Sequence, residues 1–382
     1  MNICRWVIGI FALMIVVAAA PVEAQIVHGQ KPELTQGLTF LSWDVTGDTA
    51  FTIQEWHVPV IVRAGLRENL ELAVYGALVN AEADWNREDN DINGLTDAKV
   101  QVSASLMNDQ LLLSGGLSLP TGQTELTRDE QALLSWLASD FLNFPIKNPG
   151  EGMNVFGQVG FATPAGQWVL GMSSAAYLAG KYTPYDNNHE YQPGSRYVFN
   201  AGAEREWPSR HRASVDFIFI YSSDDKVDGK SIFRDGVQLD SRLSGRLAVG
   251  KGDLEGGIRY VLRAKDKTTG DGDALVSELN NRHGDDFRLY ALGHLPLGGK
   301  LAGWASVDAK FLAANDYPPG HPFFEDKARL TGIGGGLDFG LGPRSKAGIG
   351  VKVWNGTSDG ALGQNQLDFS GLEITQYFSV TF

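Results

Sequence analysis

The chain has 382 residues, 43% hydrophobic and 20% charged, and carries a formal net charge of −13 at pH 7. That acidity excludes a nucleic-acid partner, which asks for a basic footprint. Its one cysteine, Cys4, excludes a disulfide framework and a thiolate metal site, and its 46 glycines favour many strands and turns over long helices.

At the N-terminus, Arg5, the apolar run from Trp6 to Ala20 and the small-residue site Val22-Glu23-Ala24 predict a secretory signal peptide over residues 1–24. Gln25 follows the site, where a lipid-anchored protein would need cysteine. No later segment approaches the roughly eighteen consecutive apolar residues of a spanning helix. Gln25 to Thr35 reads as a polar lead-in, too short for a plug domain. Leu38 to Val45 is a first strand, and Trp56, Val58, Val60 and Val62 share one face of a second. A turn at Gly65-Leu66-Arg67-Glu68-Asn69 leads to a third strand with Leu70, Leu72, Val74 and Leu78 on one side. Ala81 to Asn93 then reads as a charged loop.

The same rhythm of strand, short turn, strand and long polar loop continues to the end of the chain. Ala98, Val100, Val102, Ala104 and Leu106 alternate with polar residues, as do Val215, Phe217, Phe219 and Tyr221. Leu239, Leu243, Leu247 and Val249 run into Gly250-Lys251-Gly252-Asp253, and Leu254, Ile258, Tyr260 and Leu262 return. Such alternation gives each strand one apolar and one polar face. In the last twelve residues Leu372, Ile374, Phe378, Val380 and Phe382 share a face, interrupted only by Gln376. This pattern looks like the closing strand of an outer-membrane β-barrel, in which Phe378, Val380 and Phe382 would serve as the assembly signal. Seven short turns, near residues 67, 109, 165, 207, 251, 299 and 343, alternate with eight longer connections. The expected fold is therefore an all-β, antiparallel transmembrane barrel over residues 25–382. It has about sixteen strands, with fourteen the nearest alternative, short periplasmic turns and long outer loops. The glycine-rich segment from Leu330 to Leu341 is among its weakest strands.

Two constellations stand out. The longest loop, Gln123 to Gly152, holds a capping box at Thr127-Arg128-Asp129-Glu130. Leu133, Leu134, Trp136, Leu137 and Phe141 follow at helical spacing as far as Pro145. An exposed apolar stripe needs a surface to bury against. With Leu133, Trp136, Leu137 and Phe141 on its stripe, it can fold into or across the pore as a constriction or a hydrophobic substrate platform, or pack on the rim or the outer leaflet. In the wall, parity places Arg242, Arg246, Arg259, Arg263 and Arg288 on the lumenal face of three consecutive strands, with Arg212 one strand away. Asp216, Asp240 and Glu255 share that face. The arginines either bias the pore toward anions or form a bracing network with those carboxylates. The acidic outer loops, from Glu82 to Asp91, Asp224 to Asp228 and Asp266 to Asp273, should oppose anions at the mouth. His294, opposite the neighbourhood of Ser306 and Asp308, is the one histidine expected in mid-lumen. No phosphate loop, zinc spacing or nucleophile elbow is present, so neither an enzyme nor a cofactor is expected.

The stretch Gly94-Leu95-Thr96-Asp97-Ala98-Lys99, followed by a strand and Gly116-Leu117-Ser118-Leu119-Pro120-Thr121-Gly122, resembles a family of outer-membrane transporters associated with the meta-pathway of phenol degradation. Arg63-Ala64-Gly65-Leu66 through Leu70-Glu71-Leu72 is similar to the hairpin that precedes it there. The resemblance covers residues 55–122 and the last strand. It implies passive uptake of small, often hydrophobic or aromatic solutes. A non-transporting surface barrel and an outer-membrane lipid-modifying enzyme are the competing expectations. Outer-membrane lipid, lipopolysaccharide, the barrel-assembly machinery and a small solute are the partners expected. Nothing in the sequence sets the oligomeric state.

Overall fold

The computed structural model describes residues 32–48, 50–85, 88–184, 189–270, 274–359 and 366–382. The segment read as a signal peptide lies outside them. The first four strands are β1 (Glu33–Thr46), β2 (Ala50–Arg67), β3 (Leu70–Trp85) and β4, which comes in two pieces, Glu88–Leu95 and Ala98–Leu106. They continue into β5 (Leu111–Leu119), β6 (Asn154–Ala165), β7 (Trp168–Leu178), β8 (Arg196–Glu206), β9 (Arg212–Ser222) and β10 (Gln238–Val249). The last six are β11 (Gly252–Arg263), β12 (Asp286–Gly298), β13 (Leu301–Leu312), β14 (Ala328–Gly340), β15 (Ser345–Ser358) and β16 (Leu367–Thr381). Each pairs antiparallel with the next. β1 closes the circle on β16 in one unbroken register from Glu33↔Thr381 to Thr46↔Asp368. The result is a closed antiparallel barrel of sixteen strands.

Period-two patterning explains the two surfaces. Phe217, Leu243, Ile258, Leu289, Val307, Ile333 and Val353 are exposed and point outward, although each is large and apolar. Only a hydrocarbon surround makes such a belt favourable. Tyr260, Phe287 and Phe311 are register partners on β11 to β13, and their outward rings lie 6.5 and 6.2 Å apart. Phe378 and Phe382 are exposed too, and the Phe382 N–H donates to Pro32 O (2.9 Å).

The short turns fall where the sequence places them. Gly166, Gly250 and Gly299 take the left-handed backbone that tight hairpins demand (φ 65°, 59° and 57°). Two expectations of strand length are corrected, one at each end of the barrel. Ala81 to Asn93 is mostly ladder rather than loop, because β3 runs on to Trp85 and pairs with the first piece of β4. Ala81, Ala83 and Ile92 are buried there, so the charged residues between them read as a solvated face. The first strand likewise begins at Glu33, so the end of the presumed lead-in belongs to β1. Above the rim, short strands drawn from three loops, among them Asp225–Val227, Lys230–Arg234 and Lys267–Thr269, form a second, five-stranded sheet.

The glycine-rich strand has a steric reason. The rings of Trp354 and Trp304 lie flat over β14. A Cβ on Gly332 would come 2.5 Å from Trp354 Cε3, and one on Gly336 would come 2.6 Å from Trp304 Cε2. Trp354 is 8% exposed. Glycine here seats aromatic rings against the inner wall.

Candidate functional site: a loop folded across a charged lumen

The loop between β5 and β6 begins and ends at one clasp. Asp97, in the break between the two pieces of β4, accepts the Gly122 N–H at Oδ1 (2.9 Å) and the Glu151 N–H at Oδ2 (2.7 Å). Its own N–H donates to Pro149 O (3.1 Å). Thr121 Oγ1 accepts the Ala98 N–H and donates to Thr96 O, both at 2.8 Å. A Cβ on Gly122 would lie 2.9 Å from Asp97 N and still closer to Pro149 O. Gly94, Asp97, Pro120, Thr121 and Gly122, the residues that carry the family resemblance, therefore surround the base of this loop.

From the clasp the loop runs inward. Thr127 caps α1 (Arg128–Leu137): its Oγ1 accepts the Glu130 N–H (3.3 Å), and Glu130 Oε2 accepts the Thr127 N–H (2.6 Å). The helix stops at Leu137, earlier than Pro145, and Phe141 lies in the irregular stretch beyond it. Leu133, Leu137, Phe141, Leu142 and Phe144 are buried in one cluster with Leu41 and Trp43 of β1, Ile53 of β2, Leu330 of β14 and Phe369 of β16. All of those wall residues point into the barrel. Trp136 is half-buried, with its ring 5.1 Å from that of Phe51. The loop thus lies within the lumen rather than on the rim. Burial of each large apolar side chain contributes about 1.5–3 kcal/mol, which makes the docked position the stable one. Two polar ties fix it. Trp43 Nε1–H donates to Leu142 O (2.9 Å), and the Ile146 N–H donates to Glu55 Oε1 (3.1 Å). Glu55 is fully buried, and its Oε2 has no partner among the described residues.

Asp140 carries the loop to the far wall. It is ion-paired with Arg263 of β11 and with Lys147, while Lys310 of β13 donates to its main-chain carbonyl. β13 stands eight strands from β5, half-way around, so the loop reaches from one side of the barrel to the other.

Beside it lies a cavity of about 670 Å³, lined by Asn143 of the loop and by Asp216, Arg242, Arg259, Tyr290, Arg288, Lys310, Lys352 and Glu373 of the wall. Arg242, Arg259, Arg288 and Lys310 are successive register partners across β10, β11, β12 and β13. Asp240, 1% exposed, is bonded by Arg242 (2.7 Å) and Arg259 (2.8 Å) together. Asp286 holds Arg288 (2.6 Å). Lys352 pairs with Asp308 (2.7 Å).

Of the five arginines expected along this wall, Arg242, Arg259 and Arg288 meet at the cavity and Arg263 holds the loop. Arg246 sits toward the Gly250 turn, paired with Asp253 (2.7 Å). Glu255 accepts the Tyr290 O–H (3.3 Å). The trio around His294 does not form. His294 is the register partner of Trp304 and lies 3.4 Å from Asp253, while Asp308 is taken by Lys352.

In two of the acidic outer loops, carboxylates are paired, a feature the sequence charge does not show. Arg234 bonds Asp224 (2.5 Å) and holds its carboxyl below the usual range. Burial would raise the Asp266 carboxyl, but hydrogen bonds from His283 (3.0 Å) and Gly236 N–H (2.7 Å) outweigh it and keep it low. A mouth so paired repels anions less than its sequence charge implies.

Sequence reasoning missed Lys310, Lys352 and Asp140, and met Asp97 only within the motif that carries the family resemblance. The two lysines share the parity of the arginines and could have been found by extending the stripe three strands further. Asp140 carried no such signal, and the motif around Asp97 marked a strand start rather than a loop clasp.

No protein-family model and no curated protein matches the chain. Among solved structures, OprB of Pseudomonas putida is similar over 90% of this chain and 93% of its own, with 8% identity and a TM-score of 0.54. The outer membrane channel DcaP of Acinetobacter baumannii aligns over 94% and 100% respectively, with 12% identity and a TM-score of 0.44. A FadL homologue of Pseudomonas aeruginosa aligns over 92% and 90%, with 10% identity and a TM-score of 0.46. The likeness to OprB is one of fold.

Proposed function

We propose that this chain is a passive outer-membrane channel for small, hydrophilic solutes, with the in-folded loop as its constriction. One observation carries the proposal: the loop crosses the lumen yet leaves a cavity of about 670 Å³ against a wall of charged side chains. A barrel of sixteen strands is wide enough for an aqueous path unless side chains or loops fill it. The loop occupies one side of the lumen by apolar packing and spares the polar side. That lining favours polar solutes over the hydrophobic ones implied by the family resemblance. In this reading outer-membrane lipid and lipopolysaccharide surround the belt, and Phe378, Val380 and Phe382 present the strand end to the assembly machinery.

The test is conductance. Purified protein reconstituted in planar bilayers should give discrete ohmic steps in potassium chloride. A correctly folded, heat-modifiable barrel that adds no conductance would overturn the channel and favour a surface role.

A further inference from the structure

We propose that the arginine row on β10 to β12 is a binding station for a small solute bearing an oxyanion, a carboxylate or a phosphate. The inference rests on the channel reading above and names the class of solute that the channel selects.

Three observations converge. The first is register. Arg242, Arg259 and Arg288 are direct neighbours across the ladder, about 4.8 Å apart from strand to strand, and Lys310 extends the row. Like charges so placed repel one another. The second is incomplete compensation. Around the loop tip, Arg242, Arg259, Arg288, Arg263 and Lys147 share only Asp240, Asp286 and Asp140. Guanidinium groups cannot shed their charge. Asp240 serves two of the arginines, and Asp216, in register beside Arg242, makes no ion pair with it among the described residues. The third is the direction of the free donors. Arg242, Arg259 and Arg288 each spend Nε and Nη2 on a carboxylate. Among the described residues, none of their Nη1 groups donates to a protein atom, and all three side chains line the cavity. Asp240 and Asp286, buried behind the row, hold the guanidiniums in place while those donors face open space. Asp216 flanks the row beside Arg242, and Glu373, across the cavity, accepts Trp354 Nε1–H (3.0 Å). These acids confine the positive field to the row. The cavity volume falls within the range of small-molecule sites.

The experiment uses the full-length protein in planar bilayers, with sodium succinate and inorganic phosphate as separate probes added to potassium chloride. Wild type should show concentration-dependent block and current noise, half-maximal at about 1 mM, the regime of a weak site that still releases its solute. Arg242→Gln, which leaves Arg259 on Asp240, should weaken block about tenfold, the equivalent of about 1.4 kcal/mol. Because removing both arginines would strand Asp240, the triple variant Asp240→Asn, Arg242→Gln, Arg259→Gln, which leaves no unpaired charge at this point, should abolish block while open conductance persists. Block by succinate alone assigns a carboxylate, and block by phosphate alone assigns a phosphate ester. Wild-type current insensitive to both probes, or block unchanged in the triple variant, overturns the station with the channel intact. A barrel that conducts nothing overturns the channel reading instead. Calorimetric titration of the same probes into detergent-solubilised wild type and triple variant then decides the station by itself.

Discussion

Deleting Thr127 to Asn143 should raise single-channel conductance severalfold while the barrel stays folded. The deleted segment contains α1 and the irregular stretch that reaches the far wall, including Asp140 and its ties to Arg263, Lys147 and Lys310. What remains, Gln123 to Leu126 and Phe144 to Gly152, still meets at the Asp97 clasp. Sixteen hydrogen-bonded ladders do not depend on the loop, so a heat-modifiable band on gels should survive. Leu41, Trp43 and Ile53 would be left facing water inside the pore. The expected cost is therefore a lower melting temperature. An unchanged conductance in an intact barrel would show that the narrowest point lies elsewhere.

Replacing Asp97 with Ala should loosen the whole loop from a single site. Both of its carboxylate oxygens are used, one for each end of the loop, so the substitution strands the Gly122 and Glu151 N–H groups together. Hydrogen bonds to a charged acceptor are worth about 1.5–3 kcal/mol each, so the clasp contributes several kcal/mol. Faster proteolysis within residues 123–152 and noisier open-channel current are the expected readouts. Asp97→Asn keeps one acceptor oxygen and should fall between the two. Gly122→Ala should resemble Asp97→Ala, because its added methyl collides with Pro149 O and crowds Asp97 N. If Asp97→Ala leaves proteolysis and noise at wild-type levels, the apolar contacts of Leu133, Leu137 and Phe141 hold the loop unaided.

The barrel was legible in the sequence because a lipid-facing wall leaves a period-two record, and turns need glycine or other residues that tolerate left-handed backbone. Strand number and turn positions follow from that record alone. Strand length at the outer end did not. There the neighbours are water outside and the in-folded loop inside, so Ala81 and Ala83 bury small side chains between charges and the alternation looks like polar noise. The helix was legible from the capping box, but its location was not. An apolar stripe states that it must be covered, and only the tertiary structure shows Leu41, Trp43 and Phe369 covering it. Parity placed Arg242, Arg259 and Arg288 on one face correctly. It could not rank Arg246 below them, since distance along the strand from the loop tip is a property of the fold. The sharing of Asp240 by two arginines was beyond reach for the same reason.

The flat-lying rings on the inner wall bear on how this molecule tolerates change. In most proteins, small-to-large substitutions are least welcome where atoms are densely packed and most welcome beside empty space. Here the order is inverted. Gly332 and Gly336 stand in a wall one residue thick with a hollow on its inner side, yet alanine at Gly332 would have to lift an indole off its seat, and at Gly336 it would meet the Ile349 carbonyl oxygen as well as the Trp304 ring. A displaced Trp304 or Trp354 has only the bore to move into. A single methyl group at Gly332 would thus be magnified into a ring-sized obstruction, and the free width of the lumen is set by side chains that glycine does not have.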